Sequence, residues 1–167
     1  MRAYTQQELD ALIGCPKVVI EPPRPTMIAE SGQKRNGLKL RSEDGADEFA
    51  VFIRINEDFH ENFSIGLRHL PIGEESAILL RCNGDHGVHQ NQVVNADQID
   101  GVHIHYTTEA ALQAGMKLEN YAEPTSAYAT YEDALRHFLR IINVIHPELH
   151  FPQIYQLPLF GEVGGDR

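Results

Sequence analysis

Hydrophobic and polar residues alternate along much of the first half of the chain, which is the pattern of β-strands with one buried face. Four such segments, at residues 38–42, 49–56, 63–70 and 77–83, are separated by short polar turns. A fifth lies at residues 102–106, after a longer polar loop. Short turns join antiparallel neighbours, so the pattern predicts an antiparallel sheet of about five strands.

Two short segments have helical spacing instead. Thr5 and Glu8 have the spacing of a capping box, in which each side chain bonds the other residue's backbone N–H, and this predicts a short N-terminal helix over residues 6–13. A second short helix is predicted at residues 108–114. Neither is long enough to form the main layer over a sheet.

The strongest helical pattern lies near the C-terminus. Hydrophobic residues recur at helical spacing from residue 130 to residue 145, and Pro147 ends the pattern. We expect a long helix here that packs on one face of the sheet. The predicted fold class is therefore α+β, with residues 1–150 as a single domain and residues 151–167 as an extended C-terminal tail.

Composition narrows the class of protein. The 167 residues are 42% hydrophobic and carry a net charge of −10, as in a soluble domain that does not bind nucleic acid over its whole surface. No apolar run reaches the roughly 18 residues that a membrane helix needs, so no membrane partner is expected. The N-terminus lacks the apolar stretch of a secretory signal, and only two cysteines occur. Together these features favour a cytoplasmic location.

Arginines recur on one predicted face of the sheet. In each of the first four strands, strand periodicity turns one arginine away from the hydrophobic face, and the fifth adds two histidines. The residues of this face are Arg41, Arg54, Arg68, Arg81, His103 and His105. A positive face on an acidic protein indicates a binding site for nucleic acid or another phosphate. The alternative is an ordinary solvated face whose arginines pair with nearby carboxylates.

Three interpretations of the histidines stay open. The first is a metal site for zinc or manganese, formed by His86, His89, His103 and His105. The second needs no cofactor: His103 and His105 act as acid and base, and Arg81 stabilises the charge of a phosphodiester transition state, as in a metal-independent ribonuclease or phosphodiesterase. The third is structural, with the imidazoles bonded to loop carbonyls. Whether the protein is an enzyme stays open with them.

The C-terminal segment contains the pentapeptide Gln156-Leu157-Pro158-Leu159-Phe160. It resembles the Gln-Leu-x-Leu-Phe peptide by which bacterial DNA polymerases and repair factors dock on the replicative sliding clamp. The resemblance implies that Gln156 occupies a polar subsite of the clamp, while Leu159 and Phe160 enter an apolar pocket and Leu157 matches the second position. The alternative is that the hydrophobic residues of this segment close over the protein's own core.

These observations lead to three functional hypotheses. In the first, a small bacterial factor docks on the sliding clamp through its tail and presents its arginine and histidine face to nucleic acid or phosphate, with or without cleavage. In the second, the protein is a non-enzymatic interaction or inhibitor module of a mobile element or stress system. In the third, it is a metal-binding domain built on its histidine cluster.

Overall fold

The chain folds into a twisted antiparallel sheet covered on one face by short helices, which is an α+β architecture. A computed structural model describes residues 2–86, 89–90, 98–116 and 121–156. The strands are β1 (Lys17–Glu21), β2 (Ile28–Glu30), β3 (Gln33–Ser42), β4 (Glu48–Asn56), β5 (Phe63–His69), β6 (Ala77–Asn83), β7 (His89–Gln90), β8 (Gln98–Ile99), β9 (His103–Tyr106) and β10 (Ala122–Pro124). The helices are α1 (Gln6–Gly14), α2 (Glu109–Gln113), α3 (Tyr131–Ile141) and α4 (Pro152–Tyr155), with a 3₁₀ turn at Pro147–Leu149.

Eight of the described strands form the main sheet, in the order β1-β3-β4-β5-β6-β9-β10 with β2 paired to β3. The prediction of about five strands is therefore wrong. The missed strands carry little alternation: β2 and β10 have three residues each, and β1 begins with a lysine. β3 also starts at Gln33, five residues before its first buried side chain, Leu38. The strands β7 and β8 pair with each other in a separate small sheet.

The prediction of a long C-terminal helix is also wrong. The helix α3 has 11 residues and ends at Ile141, because Asn143 adopts a left-handed conformation with φ of 56°. The next residue, Val144, leaves the helix and forms a parallel bridge with Lys17 of β1. The backbone N–H of Ile145 then donates to the Lys17 carbonyl over 2.8 Å. The hydrophobic spacing beyond Ile141 therefore belongs to a chain that packs on the sheet edge.

The local start signals of the helices are confirmed. The capping box of Thr5 and Glu8 is present at α1, where the Thr5 backbone N–H donates to the Glu8 carboxylate over 2.9 Å. Thr130 caps α3, and its hydroxyl accepts from the backbone N–H of Asp133 over 3.2 Å. The hydrophobic side of α3, including Phe138, is buried against β5 and β6. One core therefore lies between the helices and a single face of the sheet.

A buried lysine joins the ends of two helices. Lys17, the first residue of β1, is 0% exposed, and its ammonium donates to the carbonyls of Ile13 and Cys15 at the end of α1, at 2.8 and 2.9 Å. Its third bond goes to the carbonyl of Ile142 at the end of α3, over 3.0 Å. Because burial disfavours the charged form, the pKa of Lys17 is lowered.

An irregularity in β6 sets which of its side chains face the core. Leu67 pairs with Leu80 and Arg68 with Ile78, so Leu79 is an extra residue in β6, a β-bulge. As a result both Leu79 and Leu80 are buried in the core. Strand parity alone predicts that Ile78 faces the core and that Leu79 shares a face with Arg81, and the bulge reverses both assignments.

The segment predicted as an extended tail begins as a helix. Phe151 directly precedes α4 and Ile154 lies within it, and both are buried in the core. In the described part of the chain, no helix has the length and apolar character needed to cross a bilayer.

Candidate functional site

The face of the main sheet opposite α3, here called the reverse face, has two adjacent rows of residues that lie directly opposite one another in neighbouring strands. The first row runs Arg35, Arg54, Ser64, Asn83 and His103, from β3 to β9. The second row runs Gly37, Phe52, Gly66, Arg81 and His105 across the same strands. The register therefore brings arginines from three strands to the same face as the two histidines.

Two of the predicted arginines are held away from the centre of this face. Arg41 lies near the end of β3, where its guanidinium donates to the Glu48 carboxylate over 2.7 Å. Arg68 donates to the Ser76 hydroxyl over 3.4 Å. Arg41 and Arg68 lie toward the opposite end of the paired strands from Arg54 and Arg81. Neither lines the cleft described next.

Arg54 and Arg81 line one polar cleft of about 240 Å³ on the reverse face. The other described residues that line it are Gln33, Asn56, Asn62, Phe63, Ser64, Asn83 and His86. We call the cleft formed by these residues and the two arginines the polar cleft. None of these described residues is acidic. The cleft therefore combines two guanidinium groups with amides, a hydroxyl and an imidazole, which are polar groups of the kinds that donate hydrogen bonds.

The wall of the polar cleft is built by the turn between β4 and β5. The Asn56 side-chain oxygen accepts from the backbone N–H groups of Asp58 and Phe59, at 2.9 and 3.0 Å, which folds the chain back on itself. The Asn56 N–H then donates to the Asn62 carbonyl over 2.9 Å and closes the turn. Both asparagines are fixed by this local bonding at the edge of the cleft.

Close packing at Gly84 completes the same edge. A side chain at Gly84 would place its Cβ atom 1.9 Å from the Glu61 carbonyl oxygen and 2.6 Å from the Phe63 ring. Only glycine allows the chain leaving β6 to pass this close to the β4–β5 turn. The Gly84 N–H donates to the Phe63 carbonyl over 3.0 Å, which joins the two sides.

Asn83 connects the polar cleft to the histidines behind it. Its side-chain oxygen accepts from the Ser64 hydroxyl over 2.8 Å. Its amide nitrogen lies 3.3 Å from Nε2 of His103 and 3.3 Å from Nε2 of His86, and donates to these ring nitrogens. Because Asn83 is itself buried, this network fixes the orientation of the rings.

The hydrogen-bond partners of His103 and His105 indicate which nitrogen of each ring carries the proton. Nδ1 of His103 lies 2.8 Å from the Gly101 carbonyl, and Nδ1 of His105 lies 3.0 Å from the Tyr121 carbonyl. A carbonyl oxygen can only accept, so both Nδ1 atoms carry the proton and donate. In the neutral rings the lone pair is therefore on Nε2, which in His103 is the atom that Asn83 bonds.

The two histidines are buried beside the cleft and do not line it. His103 is 0% and His105 is 1% exposed, and their ring centroids lie 5.0 Å apart. His86 is the exposed member of the group and lines the polar cleft, with its ring centroid 4.8 Å from that of His103. An external ligand in the cleft would therefore contact His86 before it contacts His103.

Comparison with known proteins places the chain in a family. Residues 4–144 match a family of unknown function, DUF6978. The chain belongs to the DUF6978 family. No curated protein and no solved structure matches the chain. The DUF6978 match covers α1 to α3 and every described residue of the polar cleft, and it ends before the pentapeptide.

The metal site predicted from the sequence consists of His86, His89, His103 and His105, which all lie within the DUF6978 match. Among the described residues, no group of three or more histidine, cysteine or acidic side chains is arranged to hold a metal ion. The side chain of His89 lies outside the described residues, so the four-histidine set is only partly visible. His86, His103 and His105 are neighbours, and the Nε2 atoms of His86 and His103 each lie 3.3 Å from the Asn83 amide nitrogen.

The pentapeptide follows α4, beyond the DUF6978 match. Gln156 is exposed and comes directly after Tyr155, which is packed partly against the core. Leu157, Leu159 and Phe160 lie outside the described residues. The resemblance to the clamp-binding peptide therefore stays a prediction, and so does its alternative.

Sequence reasoning missed several residues of the polar cleft. Ser64 and Asn83 share strand parity with Arg68 and Arg81, so the rule that selected the arginines also selects them. Asn56 and Asn62 enter the cleft through a turn whose shape depends on side-chain bonding, and strand periodicity gives no signal for this. Gln33 was missed because β3 was predicted to start later.

Proposed function

We propose that this protein binds a phosphate group in the polar cleft through Arg54 and Arg81. One observation carries the proposal: two guanidinium groups share a cleft in which none of the described lining residues is acidic. The whole chain has 24 acidic and 14 basic residues, so an acid-free lining is a local concentration of positive charge. Such a cleft attracts an anion even though the protein as a whole is negative.

The residue types suit a phosphate. A guanidinium group presents parallel N–H donors that match two phosphate oxygens, and charge-assisted bonds of this kind are about twice as strong as neutral ones. The amides of Asn56 and Asn62 and the imidazole of His86 supply further donors around the same volume. A volume of about 240 Å³ is below the ~300 Å³ at which pockets for drug-sized ligands begin, so it fits a phosphate and its immediate substituent.

The ion pairs of the reverse face strengthen the case for Arg54. Arg35 pairs with Glu30 at 2.9 Å, and Arg41 pairs with Glu48 at 2.7 Å. No ion pair among the described residues includes Arg54, whose guanidinium lies 5.2 Å from the centroid of the Phe52 ring. Arg54 therefore keeps its donors available in the region where Arg81 and His86 lie.

Titration calorimetry with tripolyphosphate tests the proposal on the full chain. Replacing one charge-assisted donor, in Arg54→Gln, is expected to weaken binding about 10- to 100-fold. The matched control is Arg41→Gln, which removes an arginine from the same face but outside the cleft, and it should bind as the wild type does. Thermal melting verifies that both variants fold. An equal loss in both variants, or no binding to the wild type, contradicts the proposal.

Cleavage of a phosphodiester is the catalytic version of this proposal, with His103 and His105 as acid and base and Arg81 as charge stabiliser. The adjacent rings and their fixed tautomers favour it. Their burial opposes it, because an acid or base must reach the reacting atoms, and binding without cleavage is the version that the geometry favours. A ribonuclease assay of the wild type, His103→Asn and His105→Asn decides between cleavage and binding alone. Hydrolysis that is lost in both variants supports catalysis.

Docking on the bacterial sliding clamp is a second candidate function, carried by the tail. Docking is supported by the position of Gln156, which is exposed and directly follows α4. The buried Ile154 of this helix attaches the start of the peptide to the domain. Surface plasmon resonance with immobilised sliding clamp should show binding that Leu159→Ala combined with Phe160→Ala abolishes. The control is Leu149→Ala, an apolar side chain that is 71% exposed. Binding that survives the double substitution excludes docking by this peptide.

A further inference from the structure

An aromatic side chain lies beside the polar cleft on the reverse face. Phe52 of β4 is directly opposite Gly37 of β3 and Gly66 of β5. A Cβ atom on Gly66 would be 2.2 Å from Cζ of the Phe52 ring, so the ring lies over the Gly66 backbone in the space that a side chain would fill. The glycine therefore forms a seat that allows the ring to lie across β5 toward β6.

The position of Phe52 is unusual for a packing residue. It is half-buried on the reverse face and is not a member of the described hydrophobic core, which lies on the side of α3. The Arg54 guanidinium is 5.2 Å from its ring centroid, and Arg81 is directly opposite Gly66 in β6. The aromatic ring thus lies under the Arg54 guanidinium and against the glycine that is opposite Arg81.

A second cleft extends the same face beyond Phe52. It has a volume of about 460 Å³ and is lined in part by Arg35 and Lys39 of β3, together with their ion-pair partners Glu30 and Glu21. The two clefts and the ring between them cross β3 to β6, roughly 14 Å at the usual spacing of strands. A surface of this length, with two arginines in the polar cleft and an aromatic ring beside them, exceeds what a lone phosphate needs.

We infer that the ligand of the polar cleft is single-stranded nucleic acid, with one unpaired base stacked on Phe52 and its phosphate bound by Arg54 and Arg81. The inference rests on the proposed function and names its substrate class. Unpaired bases stack on aromatic side chains of a sheet, whereas the bases of a duplex are already stacked on one another. The backbone would continue from the polar cleft across Phe52 to the cleft of β3.

Fluorescence anisotropy with the full chain tests this on three probes: a labelled deoxythymidine decamer, an abasic decamer of the same length, and tripolyphosphate as an unlabelled competitor. Phe52→Leu keeps an apolar contact with Gly66 but removes the aromatic face. It is expected to weaken binding of the thymidine decamer about 5- to 100-fold and to leave the abasic decamer unchanged. Phe52→Tyr, which keeps a ring, should restore binding.

A matched control and a second variant complete the design. Phe59→Leu makes the same substitution at a ring that is 66% exposed on the β4–β5 turn, and it should bind as the wild type does. Gly66→Ala keeps Phe52 but occupies its seat, so it should weaken the thymidine decamer as Phe52→Leu does.

The outcomes separate this inference from the proposed function. If both decamers bind equally and depend on Arg54 but not on Phe52, the stacking inference is overturned while phosphate binding stands. If neither the decamers nor tripolyphosphate bind, both fail. If the thymidine decamer alone responds to Phe52→Leu, the substrate class is single-stranded nucleic acid.

Discussion

The hydroxyl of Tyr4 donates a hydrogen bond to Nδ1 of His69 over 2.9 Å, joining the start of the chain to the far end of β5. The other ring nitrogen of His69 donates to the Asp47 carboxylate over 2.9 Å, so the imidazole is used on both sides. Tyr4 and His69 are both buried, and burial raises the pKa of the Tyr4 hydroxyl. This contact fixes the N-terminal segment on the sheet.

Tyr4→Phe should lower the free energy of unfolding by about 1 to 3 kcal/mol, because it leaves the buried Nδ1 of His69 without its donor. Urea unfolding measures the effect. The control is Tyr121→Phe, which removes an exposed hydroxyl that donates to Glu123 over 2.8 Å, and a change below about 0.5 kcal/mol is expected. Equal effects in the two variants would show that the Tyr4 contact contributes nothing specific.

Lys17→Met should destabilise the fold more strongly, by about 2 to 5 kcal/mol at pH 7, because it leaves one buried and two partly buried carbonyls without this donor. The control is Lys39→Met, since Lys39 is exposed and pairs with Glu21 at the surface. Chemical unfolding of both variants gives the comparison, and a Lys17→Met variant as stable as Lys39→Met contradicts it.

The cost of Lys17→Met should also depend on pH. The pKa of Lys17 is lowered in the folded chain, so between that pKa and the ordinary lysine value of about 10.4 the unfolded chain binds more protons. Stability from this group therefore rises with pH over that interval. The difference between the wild type and Lys17→Met should grow as the pH approaches 10, and a constant difference would contradict the assignment.

The two cysteines should differ in reactivity. Burial raises the pKa of the Cys82 thiol to about 12, whereas Cys15 is only partly buried. A thiol reagent at pH 8 should modify one cysteine in the native protein and the second only after denaturation. Cys82→Ala identifies the slow thiol, and a Cys82 that reacts as fast as Cys15 in the native state excludes this arrangement.

The same thiol predicts a loss of stability in alkali. Since the folded pKa of Cys82 is raised, its contribution is complete below the ordinary thiol pKa and is lost as the pH rises through about 12. The slope should reach about 1.4 kcal/mol per pH unit for this one group. Urea unfolding at pH 8 and pH 10 should show a steeper loss for the wild type than for Cys82→Ala.

Gly84→Ala should disturb the polar cleft through its wall. The added Cβ atom would lie 1.9 Å from the Glu61 carbonyl oxygen, which is backbone and cannot rotate away. A destabilisation of about 1 to 3 kcal/mol is expected, together with weaker tripolyphosphate binding. Gly14→Ala is the control, because a Cβ atom there meets nothing within 4 Å. Native-like stability and binding of Gly84→Ala would exclude the close approach.

The sequence predicts the central strands and the helix starts well, because both depend on local patterns. Alternation in β4 and β5 assigns Arg54 and Arg68 to the correct face, and the capping box of Thr5 and Glu8 marks the start of α1. It predicts the edge of the sheet poorly. The strand β1 is not predicted, because the charge of Lys17 suggests a surface residue. In the structure three carbonyls accept hydrogen bonds from Lys17 and hold it in the core.

The candidate site shows the same limit. Periodicity indicates an arginine face, but only the register reveals that Arg54 and Arg81 share a cleft while Arg41 is neutralised by Glu48. The end of α3 could have been predicted from Asn143, a residue that tolerates the left-handed conformation found there. The seat of Phe52 on Gly66 depends on cross-strand pairing, for which a single sequence gives no signal.

The bulge at Leu79 divides β6 into two parts. Residues of opposite parity, even or odd, face the core before and after it. Thr107 holds the irregular point, since its N–H donates to the Leu79 carbonyl over 3.0 Å and its hydroxyl to the Ile78 carbonyl over 2.6 Å. A regular strand that kept Leu79 without the bulge would exchange the two sides of everything that follows, turning Arg81 inward among the leucines and Cys82 outward, whereas loss of Leu79 would leave both on their present faces. The face on which Arg81 lies is thus decided by whether one residue, Leu79, is accommodated as a bulge.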